Sequence, residues 1–150
     1  MVYEYYSNVD VTMEVDENFI LLLPYVYYEE NGVSYTPSII EYIRDYNLRP
    51  IGCMVAVEKN NLIKVGVSIT STKETEPFSK PKGVFLAMKR ALNNDFESMR
   101  LKANRYCYRF NKRYGDYDEL TLPQCISTFL GRCNQYHKDK NVVYPRISYY

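Results

Sequence analysis

The sequence predicts an α+β fold: an antiparallel β-sheet with three to four helices packed on one of its faces. Two observations lead to this prediction. In the first half of the chain, hydrophobic and polar residues alternate with a period of two, which is typical of strands. From residue 81 the period changes to 3.6, which is typical of helices. Strands followed by helices, with no linker or repeat between them, favour a single α+β domain over residues 1–150.

Length and composition are consistent with one globular domain. The chain has 150 residues, of which 46% are hydrophobic and 25% charged, and a chain of this size buries enough surface to fold without disulfides. The first residues lack the basic and apolar regions of a signal peptide, and the longest apolar run, residues 19–23, is too short to span a membrane. We therefore expect a cytoplasmic protein without membrane contact, with its four cysteines reduced.

Two hairpins and two terminal strands make up the predicted sheet. Alternating residues predict a strand at 9–16. A second strand is predicted at 18–28, interrupted at Pro24, and a final strand at 142–150, broken at Pro145. Asn31-Gly32 readily adopts positive φ at both turn centres and predicts a hairpin between residues 25–28 and 33–35. The other hairpin joins the strand from Cys53 to Val57 with the strand from Ile63 to Ile69.

Four helices are predicted from capping signals and apolar spacing. Thr36-Pro37 favours a short helix start, and a second helix runs from residue 81 to about residue 92. A long helix is predicted over residues 95–114, with Gly115 ending it, and a last helix follows Thr121. The last three of these helices account for most of the second half of the chain.

Charge is distributed unevenly along the sequence. Residues 1–50 contain two basic and nine acidic side chains, whereas residues 77–114 contain ten basic and two acidic ones. Five basic side chains of the predicted helix over 95–114 fall within an arc of about 100°, with tyrosines beside them: Lys102, Arg105, Arg109, Lys112 and Arg113. Guanidinium groups beside aromatic rings suit phosphates and unstacked bases. The predicted ligand-binding residues are Lys80, Lys82, Arg90, Lys102, Arg105, Tyr108, Arg109, Lys112, Arg113 and Tyr114.

We expect a protein that acts by binding a nucleic acid or a nucleotide, without a cofactor. The open alternatives for the basic side are a solvated helix face and a surface that neutralises the acidic first part of the chain. A homo-oligomer is also compatible with the sequence.

A second hypothesis concerns the acidic, tyrosine-rich first third of the chain. Carboxylates displayed there can imitate nucleic acid and occupy the basic groove of a host protein. In that case the protein is a protein–protein inhibitor. The predicted partner-binding residues are Glu14, Asp16, Tyr27, Tyr28, Glu29 and Glu30.

Catalytic and metal-binding motifs are weak, so we predict a protein that is not an enzyme and has no metal site. Cys125, Cys133 and His137 have spacings unlike those of zinc sites, and both cysteines fall on an apolar helix stripe. Asp116, Asp118 and Glu119 suit a turn, although they would also suit a metal-dependent nuclease, the third hypothesis.

Residues 65–92 resemble a pattern in small accessory proteins encoded by bacteriophages. In that pattern a strand and a polar loop precede a helix start of the form Lys/Arg-Gly-x-x-x-Ala-x-x-Arg-Ala. The matching residues are Lys82, Gly83, Ala87, Arg90 and Ala91. Some such proteins are similar to anti-defence factors that sequester nucleotide signals or block host nucleases. The resemblance implies a viral inhibitor of a host defence component.

Overall fold

The computed structural model describes residues 28–71, 77–93 and 98–150; the strand predicted at 9–16 and nearly all of that at 18–28 lie outside them. Among the described residues, 48% are in strands and 25% in helices. The elements in chain order are β1 (Tyr28–Glu30), β2 (Val33–Tyr35), β3 (Pro37–Arg44), β4 (Pro50–Lys59), β5 (Leu62–Ile69), α1 (Lys80–Leu92), β6 (Ser98–Leu101), β7 (Tyr106–Asn111), β8 (Asp116–Thr121), α2 (Leu122–Tyr136), β9 (Asn141–Val143) and β10 (Arg146–Tyr149).

The main sheet has six strands in the order β8-β7-β3-β4-β5-β9. Neighbouring strands are antiparallel except β9, which runs parallel to β5. Two smaller sheets accompany it: the β1–β2 hairpin and the parallel pair β10–β6. The predicted wholly antiparallel sheet is therefore wrong, because the last part of the chain returns beside β5 and β6 in the same direction as each of them.

Both predicted hairpins are present, although the first strand of the first hairpin is Tyr28–Glu30, and of its predicted residues 25–28 only Tyr28 is described. Asn31 and Gly32 have φ values of 52° and 77°, and they join β1 to β2 as the turn signal predicts. Asn60 and Asn61, at 53° and 64°, join β4 to β5. The predicted last strand is also present, and its predicted break at Pro145 separates β9 from β10.

The two helices pack on opposite faces of the main sheet, which corrects the prediction of helices on one face. Val55 and its neighbours on one side of β4 pack against α1, and Met54 and Ala56 on the other side pack against α2. Residues 52–57 are therefore buried throughout. A strand covered on both sides needs a continuous apolar run, and "GCMVAV" is such a run.

Local capping explains where each helix begins. The Ser79 side chain accepts a hydrogen bond from the Lys82 amide at the start of α1. At the start of α2, Thr121 and Gln124 form a reciprocal capping box. Both helices were predicted, and both are confirmed.

The short helix predicted after Thr36-Pro37 is wrong, because Pro37–Arg44 forms β3. Ile39 and Ile43 lie in the core on the α2 side, whereas Ile40 and Tyr42 lie on the α1 side. A segment rich in isoleucine with both faces covered is more stable as a strand between β4 and β7 than as an isolated short helix.

The long helix predicted over residues 95–114 is also wrong. Residues 98–101 form β6, and residues 106–111 form β7, which pairs with β8 as a hairpin. The described part of the chain therefore contains two helices in place of the predicted three to four. The segment "YCYRFN" is rich in aromatic residues, and pairing with β3 and β8 supplies hydrogen bonds that favour the strand.

Neither α1 nor α2 is long and apolar enough to cross a membrane, and the described residues contain no other helix.

Candidate functional site

A cavity of about 520 Å³ lies at the end of the main sheet where β5 ends and β7 begins. Four basic side chains line it, and no acidic side chain is among its described lining residues. They come from three parts of the chain: Arg90 from α1, Arg100 from β6, and Lys102 and Arg105 from the loop before β7. We call these four residues and the space between them the basic cavity.

Arg105 is held in the wall of the basic cavity. Its Nη1 donates to the Thr70 carbonyl oxygen over 2.6 Å, and Thr70 is itself fixed by bonds from its amide and hydroxyl to the Ile51 carbonyl. Burial lowers the pKa of Arg105 below its ordinary value, and a guanidinium nevertheless stays charged at neutral pH. A fixed, half-buried cation is thus built into this wall.

Arg100 and Lys102 are exposed at the opening of the basic cavity. The Arg100 guanidinium lies 4.7 Å from the ring centroid of Tyr150, which also lines the cavity. Backbone hydrogen bonds between Leu101, Ala103 and Tyr150 continue the β6–β10 ladder and fix the backbone of Tyr150. The opening therefore combines two cations with an aromatic ring.

A second cavity of about 340 Å³ adjoins the first and shares Arg90, Thr70 and Ser71 with it. Lys82 and Ser79 at the start of α1 line its other side. Arg90 donates from Nη1 to the Val67 carbonyl over 3.0 Å, which places its guanidinium between the two cavities. The structure thus brings Lys82, Arg90, Lys102 and Arg105 of the predicted set to one region.

Lys80 does not join this group. It is 5% exposed, and its ammonium lies 4.7 Å from the ring centroid of Tyr42. The role predicted for Lys80, a loop lysine that adds to the field around a ligand, is therefore not supported by its position, and its aliphatic stem belongs to the packing at the start of α1.

Arg109 also lies apart from the basic cavity, on the face of the sheet that packs against α2. Its Nε donates to Glu41, which also accepts a hydrogen bond of 2.9 Å from Arg132 on α2. The bond to Glu41 raises the pKa of Arg109. The prediction that Arg109 projects freely into water is wrong, because Glu41 on β3 is its partner.

The remaining predicted residues lie on or beside the β7–β8 hairpin. Lys112, Arg113 and Tyr114 are exposed at its tip, with the Arg113 guanidinium 5.6 Å from the Tyr114 ring centroid. Tyr108 donates its hydroxyl to Glu119 over 2.6 Å, a bond that raises the Tyr108 pKa to about 12. The predicted basic residues therefore do not share one helix face. Some of them line the basic cavity, and others lie on the β7–β8 hairpin.

The acidic face is only partly described, since Glu14, Asp16 and Tyr27 lie outside the described residues. Of its other members, Tyr28 packs on Phe85 with ring centroids 5.2 Å apart. Glu30 pairs with Lys59 over 2.6 Å, and Glu29 is exposed.

The cysteines lie in the core, where burial raises the thiol pKa of Cys125 to about 12 and that of Cys133 to about 11. Such thiols are poor nucleophiles and poor metal ligands at neutral pH. His137 lies outside the core, with Nε2 2.9 Å from the Ser38 hydroxyl.

The acidic residues of β8 are divided by strand alternation, which places Asp116 and Asp118 on one face and Glu119 on the other. Among the described residues, no three His, Cys, Asp or Glu side chains are grouped so that they can hold a metal ion.

Sequence reasoning missed several aromatic residues that the fold exposes. Tyr106 and Phe110 alternate with inward residues on β7, and Tyr46 and Tyr117 lie beside this row. The period of two in "YCYRFN" was the available signal, but it was assigned to a helix stripe. Arg100 and Tyr150 were missed for a different reason: β6 and β10 meet only in the folded chain.

The chain has no significant match to a protein-family model, a curated protein or a solved structure.

Proposed function

We propose that the protein binds a phosphate-bearing ligand, a nucleic acid or a nucleotide, without covalent chemistry. The observation that carries this proposal is the basic cavity, where four cationic side chains converge and no described lining residue is acidic. Like charges gathered at one opening repel one another, and an anionic ligand relieves that repulsion.

The chemistry of the lining supports phosphate as the anion. Guanidinium groups such as those of Arg100 and Arg105 donate two parallel hydrogen bonds to phosphate oxygens. The Ser98 hydroxyl lies in the same lining and is a suitable neutral donor. A volume of about 520 Å³ is within the range of small-ligand sites, so a nucleotide unit fits.

The biological setting that we propose is a phage accessory protein that acts in the host cytoplasm. Bound nucleic acid or nucleotide would be withheld from a host defence component. This setting rests on the resemblance of residues 65–92, whereas the binding proposal rests on the cavity.

Reversing the charges at Arg100 and Lys102 is expected to weaken binding by tenfold or more at low salt, because the cations nearest the ligand are replaced by carboxylates. These two positions are chosen because both are exposed, whereas Arg105 is bonded in the wall. Binding of a fluorescein-labelled single-stranded oligonucleotide is measured by anisotropy across a salt titration. The magnitude of the slope of log K against log salt is expected to fall by about 1.4, because each phosphate contact on a single strand contributes about 0.7 and two contacts are lost.

The matched control compares Lys102→Glu with Lys138→Glu. Lys138 is exposed just beyond the far end of α2, roughly 20 Å along that helix from Leu122 in the cavity wall. Both variants change the net charge equally, so only a local site distinguishes them. Equal losses for the two variants, or undiminished affinity in the double variant with folding verified by circular dichroism, would contradict the proposal.

A further inference from the structure

Beside α1, the same face of the sheet carries a surface of exposed and half-buried aromatic rings. Strand alternation places Tyr106, Tyr108 and Phe110 of β7 on one face, opposite to buried Cys107. Tyr117 of β8 lies across from Phe110 in the pairing, and Tyr46 lies beyond the end of β3. We call these five rings the aromatic face.

Exposure of the aromatic face is unusually high for such large side chains. Tyr46 is 79% exposed, Tyr106 56%, and Phe110 46%. Helix α1 packs over β4 and β5, and β3 lies between these strands and the β7–β8 hairpin. Large contiguous patches of exposed apolar side chains are rare on protein surfaces, and they often mark binding sites.

The rings hold defined orientations. Tyr46 meets Tyr108 edge to face, with centroids 5.8 Å apart at 81°, and Phe110 meets Tyr117 at 5.2 Å and 69°. The bond from Tyr108 to Glu119 holds the middle ring as well. Rings that are already ordered lose little conformational entropy when a flat ligand stacks on them.

Positive charge surrounds the aromatic face. Arg44 of β3 lies opposite Tyr108 of β7 in the strand register. Lys112 and Arg113 are exposed at the hairpin tip. The basic cavity lies at the opposite end of β7, where Arg105 immediately precedes Tyr106. Asp116 and Asp118 alternate to the other face, and Glu119 is the acceptor for Tyr108. A polyanion along β7 therefore meets cations at both ends and in the middle.

The spacing of the rings identifies the form of nucleic acid. Side chains two residues apart on one strand face are about 6.7 Å apart, whereas successive nucleotides in a duplex advance by only about 3.4 Å along the axis. Only unpaired bases that are spread apart can stack on successive rings of one strand. Duplex bases are stacked on one another and do not present their faces.

From this geometry we propose that the aromatic face binds the unpaired bases of a single-stranded nucleic acid whose phosphates enter the basic cavity. This inference rests on the proposed function, because it assigns the ligand class of the same binding region. It adds that recognition depends on bases as well as phosphates, and that β7 is the track along which the strand lies.

The test uses oligothymidylate and an abasic oligomer of equal length, which have the same phosphates and differ only in bases. Wild-type protein is expected to bind oligothymidylate on the order of tenfold more tightly or better, given the usual contribution of one stacked base. The double variant Tyr106→Leu/Phe110→Leu, which keeps apolar side chains on the strand, is expected to lose most of this preference while its affinity for the abasic oligomer is unchanged. Tyr136→Ala, at a 67% exposed ring on α2, is the control and should retain the preference.

The outcomes separate the two proposals. If the wild-type protein binds both oligomers equally, the aromatic face does not bind bases and the inference is overturned. The phosphate-binding role of the basic cavity is still supported in that case, provided that Arg100→Glu/Lys102→Glu lowers both affinities. If neither oligomer binds, the proposed function and this inference are both overturned. A dimer detected by light scattering that disappears in the leucine variant also overturns the inference, because the face is then an interface between two copies.

Discussion

Replacing Gly66 with alanine is expected to destabilise the protein by about 3 kcal/mol or more, a large part of the stability of a domain this size. A Cβ at residue 66 would lie 1.8 Å from the Ala87 carbonyl oxygen and 2.7 Å from the Ala91 amide nitrogen. These are backbone atoms of α1, so no side-chain rotation relieves the overlap. The helix must move away from β5, and the packing of Ala87 and Ala91 in the core is lost with it.

The measurement is urea unfolding followed by circular dichroism, with Gly131→Ala as the matched control. Gly131 lies within α2, and a Cβ there meets no atom within 4 Å. The control is expected to gain up to about 1 kcal/mol, because alanine favours a helix more than glycine does. A Gly66→Ala variant that unfolds at the wild-type urea concentration would show that α1 does not lie this close to β5.

Replacing Glu41 with glutamine is expected to lower the free energy of unfolding by about 1 to 3 kcal/mol, because it removes the charge that two arginines share. The Glu41 side chain is only 12% exposed, and it bonds both Arg109 and Arg132. This carboxylate joins β3, β7 and α2, and its replacement leaves two cations close together without their counter-ion. Both arginines are partly solvated, at 32% and 50% exposure, which keeps the expected loss below that of a fully buried pair.

Glu58→Gln is the matched control for Glu41→Gln. Glu58 also pairs with a cation, Lys140, but its side chain is 47% exposed. An exposed pair contributes little, so the control is expected to change stability by no more than about 0.5 kcal/mol. Equal urea midpoints for Glu41→Gln and wild type would contradict a structural role for the three-residue cluster.

The fold was predictable from sequence where the signal was local. The caps at Ser79 and Thr121 act within one turn, and Asn31-Gly32 and Asn60-Asn61 shape their turns through their own backbone angles. The single-domain organisation over residues 1–150 and the cytoplasmic location remain predictions.

Residues 98–111 show why the rest was not predictable. The apolar residues at Met99, Tyr106, Cys107 and Phe110 fit a helical stripe, yet Cys107 and its neighbours also fit alternation on a strand. The two periods are not distinguishable over so short a segment. Pairing with β3, β8 and β10 decides between them, and β3 and β10 are distant along the chain from the strands that they pair with.

The binding region shows the same division. Basic composition in residues 77–114 was evident from the sequence, and so was the presence of aromatic neighbours. Composition does not reveal that Arg109 forms an ion pair with Glu41, which lies 68 residues away in the chain. Nor does it reveal that Arg90, Arg100 and Arg105 surround one cavity.

By itself, the sequence determined the two helices, the two tight hairpins and the excess of positive charge in residues 77–114, because each depends on neighbouring residues. Only the tertiary structure decided which face each helix covers, which arginines are paired and which rings are exposed. Those properties depend on hydrogen bonds and packing between distant strands, whose free energy exceeds the local preference of any short segment.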